Sequence, residues 1–136
     1  MGIVVSTALR RMIAQRAGRR CEYCLFPEAI ALHRHEPDHI IPSQHGGATD
    51  PDNLALACLR CNRYKGPNIG SFDPLTDQLV PLFHPRRQTW KQHFKMVDAE
   101  IKPLTPEGRV TVRLLRLNDP DRLIERQRLI ETNLFW

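Results

Sequence analysis

The chain has 136 residues, 20 of them Lys or Arg against 15 Asp or Glu, giving a formal charge of +5 and a pI near 9.4. That length sets one compact domain, or a small one with an extension, and the charge favours polyanionic partners such as nucleic acid without excluding an ordinary basic protein. No apolar run reaches membrane-spanning length, and residues 1–6 lack the basic start and apolar length of a signal peptide.

Gly2 with Ser6 fits the loose N-myristoylation pattern, a short match that is common by chance. Ser6 caps a helix running through Leu9, Met12, Ile13 and Gln15 to Ala17, and Gly18 stops it. Leu9, Met12, Ile13 and Arg16 recur at helical spacing, so the apolar members are expected on the core. Arg10, Arg11, Arg16, Arg19 and Arg20 form a basic cluster with no acid among them, which reads either as a solvated face or as an arm on phosphates. Cys21-Glu22-Tyr23-Cys24 is a first Cys-x-x-Cys knuckle, and Leu25-Phe26-Pro27 turns the chain after it. Residues 29–35 are expected as a short strand, with Pro37 interrupting the pairing before Asp38-His39. His33, His35 and His39 share parity, and the first two read as packing or supporting residues rather than metal ligands.

Residues 43–52 form a polar loop with a tight passage at Gly46-Gly47. Residues 53–57 return as a second strand with Leu54 and Leu56 on one face, and a helix from near Cys58 stops at Lys65-Gly66-Pro67. The central motif is therefore strand, loop, strand, helix. Beyond it, residues 72–85 carry Pro74, Pro81 and Pro85 and read as an extended surface wrap. Trp90 and Phe94 stand i, i+4 apart in a short helix, and residues 95–102 are expected as a strand. Thr105-Pro106-Glu107 opens a helix striped by Val110, Leu114 and Leu117. Asn118-Asp119-Pro120 breaks it, and residues 121–133 form a last amphipathic helix.

Two sets of residues carry chemistry. Cys21, Cys24, Cys58 and Cys61 make two Cys-x-x-Cys pairs, the pattern of a tetrahedral four-thiolate zinc site. A secreted disulfide framework would be accompanied by a signal segment, and a thioredoxin-like redox motif needs only one pair. Asp38 and Asn62 offer hard oxygen ligands to Mg²⁺, Mn²⁺ or Ca²⁺, with positions left for water and phosphate. An imidazole titrates near neutrality, which suits His39 to general-base work on a water. Asn53, uncharged, suits hydrogen bonding that fixes the loop and ring of His39. One difficulty stands out: neighbours Asp38 and His39 point to opposite faces of a regular strand, so both serve one site only if the strand ends or bends there.

Cys21-x-x-Cys24, Asp38-His39-Ile40-Ile41-Pro42, Gly46-Gly47, Asn53-Leu54, Cys58-x-x-Cys61-Asn62 and Lys65-Gly66 together resemble the HNH endonucleases. The likeness covers residues 19–66, and the signature letters fall on His39, Asn53 and Asn62, the last standing where many members have His. A weaker likeness links Pro81–Pro85, Trp90, His93-Phe94 and Leu104-Thr105-Pro106 to the tail of some small bacterial members. The resemblance implies an α+β chain: a small ββα-metal nuclease core with its N-terminal helix in residues 1–70, stapled by a four-cysteine zinc site, and a mostly helical C-terminal extension in residues 71–136 packed on it. It implies hydrolysis of DNA phosphodiester bonds, with His39 as general base, Asn53 steadying the loop, and Asp38 and Asn62 on a catalytic Mg²⁺ or Mn²⁺. Cys21, Cys24, Cys58 and Cys61 would hold structural Zn²⁺, and Arg10, Arg11, Arg19, Arg20, Arg63 and Lys65 are the candidate DNA contacts. The implied setting is the cytoplasm of a bacterial or phage-infected cell, with DNA as partner, no membrane, and a homodimer where both strands are cut. The alternative is a zinc-stabilised nucleic-acid-binding module without catalysis, separated by divalent-ion-dependent nicking of plasmid.

Overall fold

A computed structural model describes residues 5–135, so Gly2 of the myristoylation pattern lies outside the described residues. The chain is α+β and divides into two compact units, Met1–Pro67 and Asn68–Trp136. Among the described residues no helix is long and apolar enough to cross a membrane.

The first unit opens with helix α1, Thr7–Arg16, started by the Ser6 hydroxyl accepting from the Leu9 amide at 3.1 Å. The chain leaves it through Gly18 at φ 63°, a conformation that costs glycine nothing. Strands β1, Glu36–His39, and β2, Leu54–Ala57, pair antiparallel from Glu36↔Ala57 to His39↔Leu54. Helix α2, Leu59–Lys65, follows at once, so β1, β2 and α2 form a small ββα core. Ile13 and Ala14 of α1 bury against Leu54 and Leu56 of β2, with Leu9, Met12 and Ala17 around them. The alternation read from the sequence for β2 and the helical spacing read for α1 thus meet in one cluster.

The strand expected over residues 29–35 is absent. Glu28–Ile30 form a 3-10 turn, the Glu28 carboxylate accepts from the His35 amide at 2.9 Å, and the His35 Nε2 donates to the Phe26 carbonyl at 2.8 Å. Such side-chain-to-backbone bonds compete with a sheet ladder, and here they hold the segment against the first knuckle. The strand begins instead at Glu36 and includes Pro37. The Ile40 amide donates to the Asn53 carbonyl at 2.9 Å. Counting back along the antiparallel register, Pro37 falls at a non-hydrogen-bonded position, where its missing N–H is not needed.

The second unit contains two hairpins and three helices among the described residues: β3 (Gly70–Phe72) with β4 (Leu79–Pro81), α3 (Trp90–His93), β5 (Phe94–Val97) with β6 (Glu100–Pro103), α4 (Pro106–Leu114) and α5 (Pro120–Glu131). The expected wrap over residues 72–85 is thus partly a hairpin. Asp73 turns it: its carboxylate accepts from the Leu75 amide, the Thr76 hydroxyl and both Nε and Nη2 of Arg109 at 2.8–3.1 Å. The single strand expected over residues 95–102 folds back at Asp98, whose φ is 53°. Thr105 caps α4 through the Gly108 amide at 3.1 Å, as its position before Pro106 predicts.

Candidate metal and catalytic site

The four cysteines converge. The Sγ atoms of Cys21, Cys24, Cys58 and Cys61 all lie within 4.8 Å of one another, every one of these residues is buried, and Cys24 Sγ stands 3.7 Å from Cys58 Sγ. A disulfide would need about 2.0 Å. A tetrahedral ion with bonds of about 2.3 Å places its sulfurs roughly 3.8 Å apart, so the spacing is that of a shared ion. Burial pushes the Cys21 and Cys61 thiols well above the usual thiol range, while hydrogen bonding from Cys21 holds Cys58 down. Sulfurs this dry would give up their protons only to a compensating cation, and the donor set fits structural zinc.

Local structure builds both knuckles. The Cys21 amide donates to the Phe26 carbonyl at 3.0 Å, the carbonyl that His35 also holds, and Leu25 adopts φ 68° to let its amide reach Cys21. Cys58 is the N-cap of α2, its sulfur accepting from the Cys61 amide at 3.4 Å. Glu22 anchors the first knuckle to β2 by exchanging bonds with Leu56 at 2.8 Å, through its own amide and its carboxylate.

Asp38 and His39 lie beside this cluster, at the end of β1. They turn to different partners, as neighbours on a strand must. The Asp38 carboxylate, 6 % exposed, accepts on Oδ2 from the Tyr23 hydroxyl at 3.0 Å and from Lys65 Nζ at 3.2 Å. Among the described residues its Oδ1 has only the longer Lys65 approach of 3.5 Å. Burial pushes the Asp38 carboxyl up from its ordinary range, opposed by the Lys65 charge and by the bonds from Lys65 and Tyr23. His39, half-buried, instead places Nε2 2.9 Å from the Thr49 hydroxyl in the loop before β2.

Asn53 ties that loop down with three bonds: Oδ1 accepts from the Ile41 amide at 2.9 Å, and Nδ2 donates to the carbonyls of Ile41 and Ala48 at 2.9 and 2.8 Å. Gly47 is required there, since a Cβ would lie 1.6 Å from the Ile41 carbonyl oxygen and 2.8 Å from Asn53 Nδ2. Arg16 clamps the far side, donating to the carbonyls of Pro51 and Leu54 at 2.9 and 2.7 Å. Asn62 is half-buried on α2, which packs on β1; its backbone amide donates to the Cys58 carbonyl at 2.9 Å, and its side-chain amide makes no hydrogen bond among the described residues. Asp38 and Asn62 both carry side-chain oxygen atoms of the kind hard cations take.

The candidate DNA contacts divide. Arg11 and Arg63 are exposed. Arg10 pairs with Glu36, Arg19 pairs with Glu28 at 3.3 Å, and partial burial lowers the pKa of Arg20. Lys65 is 1 % exposed and is committed to Asp38 and to the His39 carbonyl at 2.9 Å, so its ammonium faces inward rather than toward a phosphate. The roles of Thr49 and Tyr23 escaped the sequence reading, and Arg16, read there as part of a basic cluster, is a clamp on the loop instead. Only Arg16 left a signal there, its helical spacing from Met12 and Ile13.

Residues 21–68 match the model of the HNH endonuclease family, and this stretch contains the four cysteines placed to hold a metal ion. Over 133 aligned residues the chain is 28 % identical to the Septu protein PtuB of Bacillus thuringiensis. That alignment takes in 91 % of this chain and 46 % of the relative, so the chain spans about half the length of the curated protein it matches. No solved structure matches the chain significantly.

Proposed function

We propose that the HNH domain is a metal-dependent endonuclease that hydrolyses phosphodiester bonds in DNA, with Mg²⁺ or Mn²⁺ held by Asp38 and Asn62. The observation that carries this reading is the His39 imidazole, fixed at Nε2 by Thr49 and adjacent in the chain to a carboxylate with one oxygen held only by a long Lys65 approach. With Nε2–H donating to Thr49, Nδ1 keeps its lone pair and can take a proton from the attacking water. The hydroxide oxygen bonds to phosphorus, the bond to the leaving oxygen breaks, that oxygen takes a proton from solvent water, and His39 releases its proton to solvent. When bound, the ion supplies charge neutralisation at the phosphate and leaving oxygen. Asn53 and Arg16 keep the Thr49 loop in register with the ring, and the exposed Arg11 and Arg63 are the best placed of the basic residues to meet backbone phosphates.

On this reading residues 71–136 are an accessory extension of the nuclease core, and a homodimer would set two centres on opposite strands. The protein would work in the cytoplasm of a bacterial or phage-infected cell. The test is nicking of supercoiled plasmid by zinc-loaded protein with added Mg²⁺ or Mn²⁺. His39→Ala should lose a general-base contribution of about 10²–10⁴ in rate while keeping zinc content, melting temperature and DNA affinity. Cleavage by His39→Ala at the wild-type rate would refute the assignment.

A further inference from the structure

We infer that Tyr23, which lies inside the first cysteine knuckle, is a positioning residue for the catalytic ion: its hydroxyl holds one oxygen of Asp38 so that the other faces the ion, and the two metal centres form one linked structure. The inference rests on the reading above that Asp38 is an ion ligand. Tyr23 is the residue between Glu22 and Cys24, is 0 % exposed, and is bracketed by two knuckle cysteines. Its ring is therefore placed by whatever holds Cys21 and Cys24. Its hydroxyl reaches Asp38 Oδ2 at 3.0 Å, and Lys65 Nζ meets the same oxygen at 3.2 Å. Two donors on Oδ2 and a single approach of 3.5 Å on Oδ1 make the carboxylate asymmetric. A carboxylate so held cannot rotate freely, and the lone pairs of Oδ1 are the ones left for a cation. Partners that hold a ligand in this way commonly set metal affinity within a factor of roughly 10–100.

Lys65 completes the arrangement. Its ammonium also donates to the His39 carbonyl at 2.9 Å, so one buried cation joins the backbone of the general base to the side chain of the ligand before it. A phenol that merely filled space in the core would be replaced by phenylalanine without consequence for ion binding. A lysine that contacted phosphate would contribute to the salt dependence of DNA binding.

Mn²⁺ binding is measured directly, by the electron paramagnetic signal of the free ion, on the zinc-loaded full chain and on Tyr23→Phe and Asp38→Ala. Tyr23→Phe is expected to keep its zinc and to bind Mn²⁺ roughly 10–100-fold more weakly. A wild-type dissociation constant in Tyr23→Phe, with Asp38→Ala weakened, overturns this inference alone. Unchanged binding in Asp38→Ala removes the ion from Asp38 and overturns both this inference and the ligand reading it rests on. A second measurement uses the wild-type fold, should Tyr23→Phe lose zinc. The chain has two tyrosines, so carbon-13 labelling of the ring carbon that bears the hydroxyl gives two signals, assigned by Tyr64→Phe. Adding Mg²⁺ should shift the Tyr23 signal saturably, and a Tyr23 signal that stays fixed while Mg²⁺ binds overturns the proposal. Lys65→Gln should leave the slope of log affinity for DNA against log salt unchanged, whereas a slope shallower by about 0.9 would return Lys65 to the phosphate backbone.

Discussion

Asn53 can be tested by two substitutions that differ by one atom type. Its side chain makes three hydrogen bonds that close the loop carrying Thr49 onto β1. Each such bond contributes about 0.5–1.5 kcal/mol net, and because the side chain is half-buried, water recovers part of the loss in Asn53→Ala. The expected cost is about 2 kcal/mol, which in a domain of this size lowers the melting temperature by roughly 8–16 °C. Asn53→Asp is nearly the same shape and keeps the acceptor for the Ile41 amide. It also sets a carboxylate oxygen against the carbonyls of Ile41 and Ala48, at the 2.9 and 2.8 Å now spanned by N–H donors. Two donors are exchanged for two repulsions, so Asn53→Asp should be at least as unstable as Asn53→Ala. The assay is the temperature at which zinc becomes accessible to a chromogenic chelator, which reports on the first unit alone. Both variants should still bind zinc when cold and should nick plasmid slowly, since the loop that orients His39 is loosened. An Asn53→Asp protein that releases zinc at the wild-type temperature would refute the reasoning.

Cys58→Ser should lose the ion and unfold the first unit, because structural zinc contributes about 10–16 kcal/mol in small systems, more than a domain of this size has to spare; elemental analysis and melting check it. Thr49→Val should leave zinc content and DNA affinity intact but cut cleavage by part of the roughly 10²–10⁴-fold due to the general base, since Nε2 loses the partner that orients the ring. Thr49→Ser should restore the rate, and a Val variant as fast as wild type would remove Thr49 from the mechanism. In the second unit the Arg109 guanidinium holds the Asp73 carboxyl well below the usual carboxylate range. The folded pKa is depressed, so the stabilisation is present above the unfolded value of about 4 and is lost as pH falls through the folded one. The stability gap between wild type and Asp73→Asn should therefore be full at neutral pH and narrow on acidification below about pH 4.

What could be read from the sequence is what depends on short spacing. The knuckles need only a three-residue separation within each pair, and the caps at Ser6 and Thr105 need only the residue three places on. The strand misplaced at residues 29–35 fails for a local reason that alternation does not show: Glu28 and His35 spend their side chains on nearby backbone, and the chain cannot pair until Glu36. The turn of the β3 and β4 hairpin is held locally by Asp73 and is also met by Arg109 from far along the chain. Thr49 and Tyr23 carry no motif of their own and acquire a role only when the fold sets them against His39 and Asp38. The difficulty of adjacent Asp38 and His39 falls at a strand end. β1 ends at His39. Asp38 turns toward the zinc knuckle and α2, where Tyr23 and Lys65 hold it, and His39 turns toward the loop, where Thr49 and Asn53 hold it. The two side chains thus have different partners, while Lys65 ties the strand end together by meeting both the Asp38 carboxylate and the His39 carbonyl.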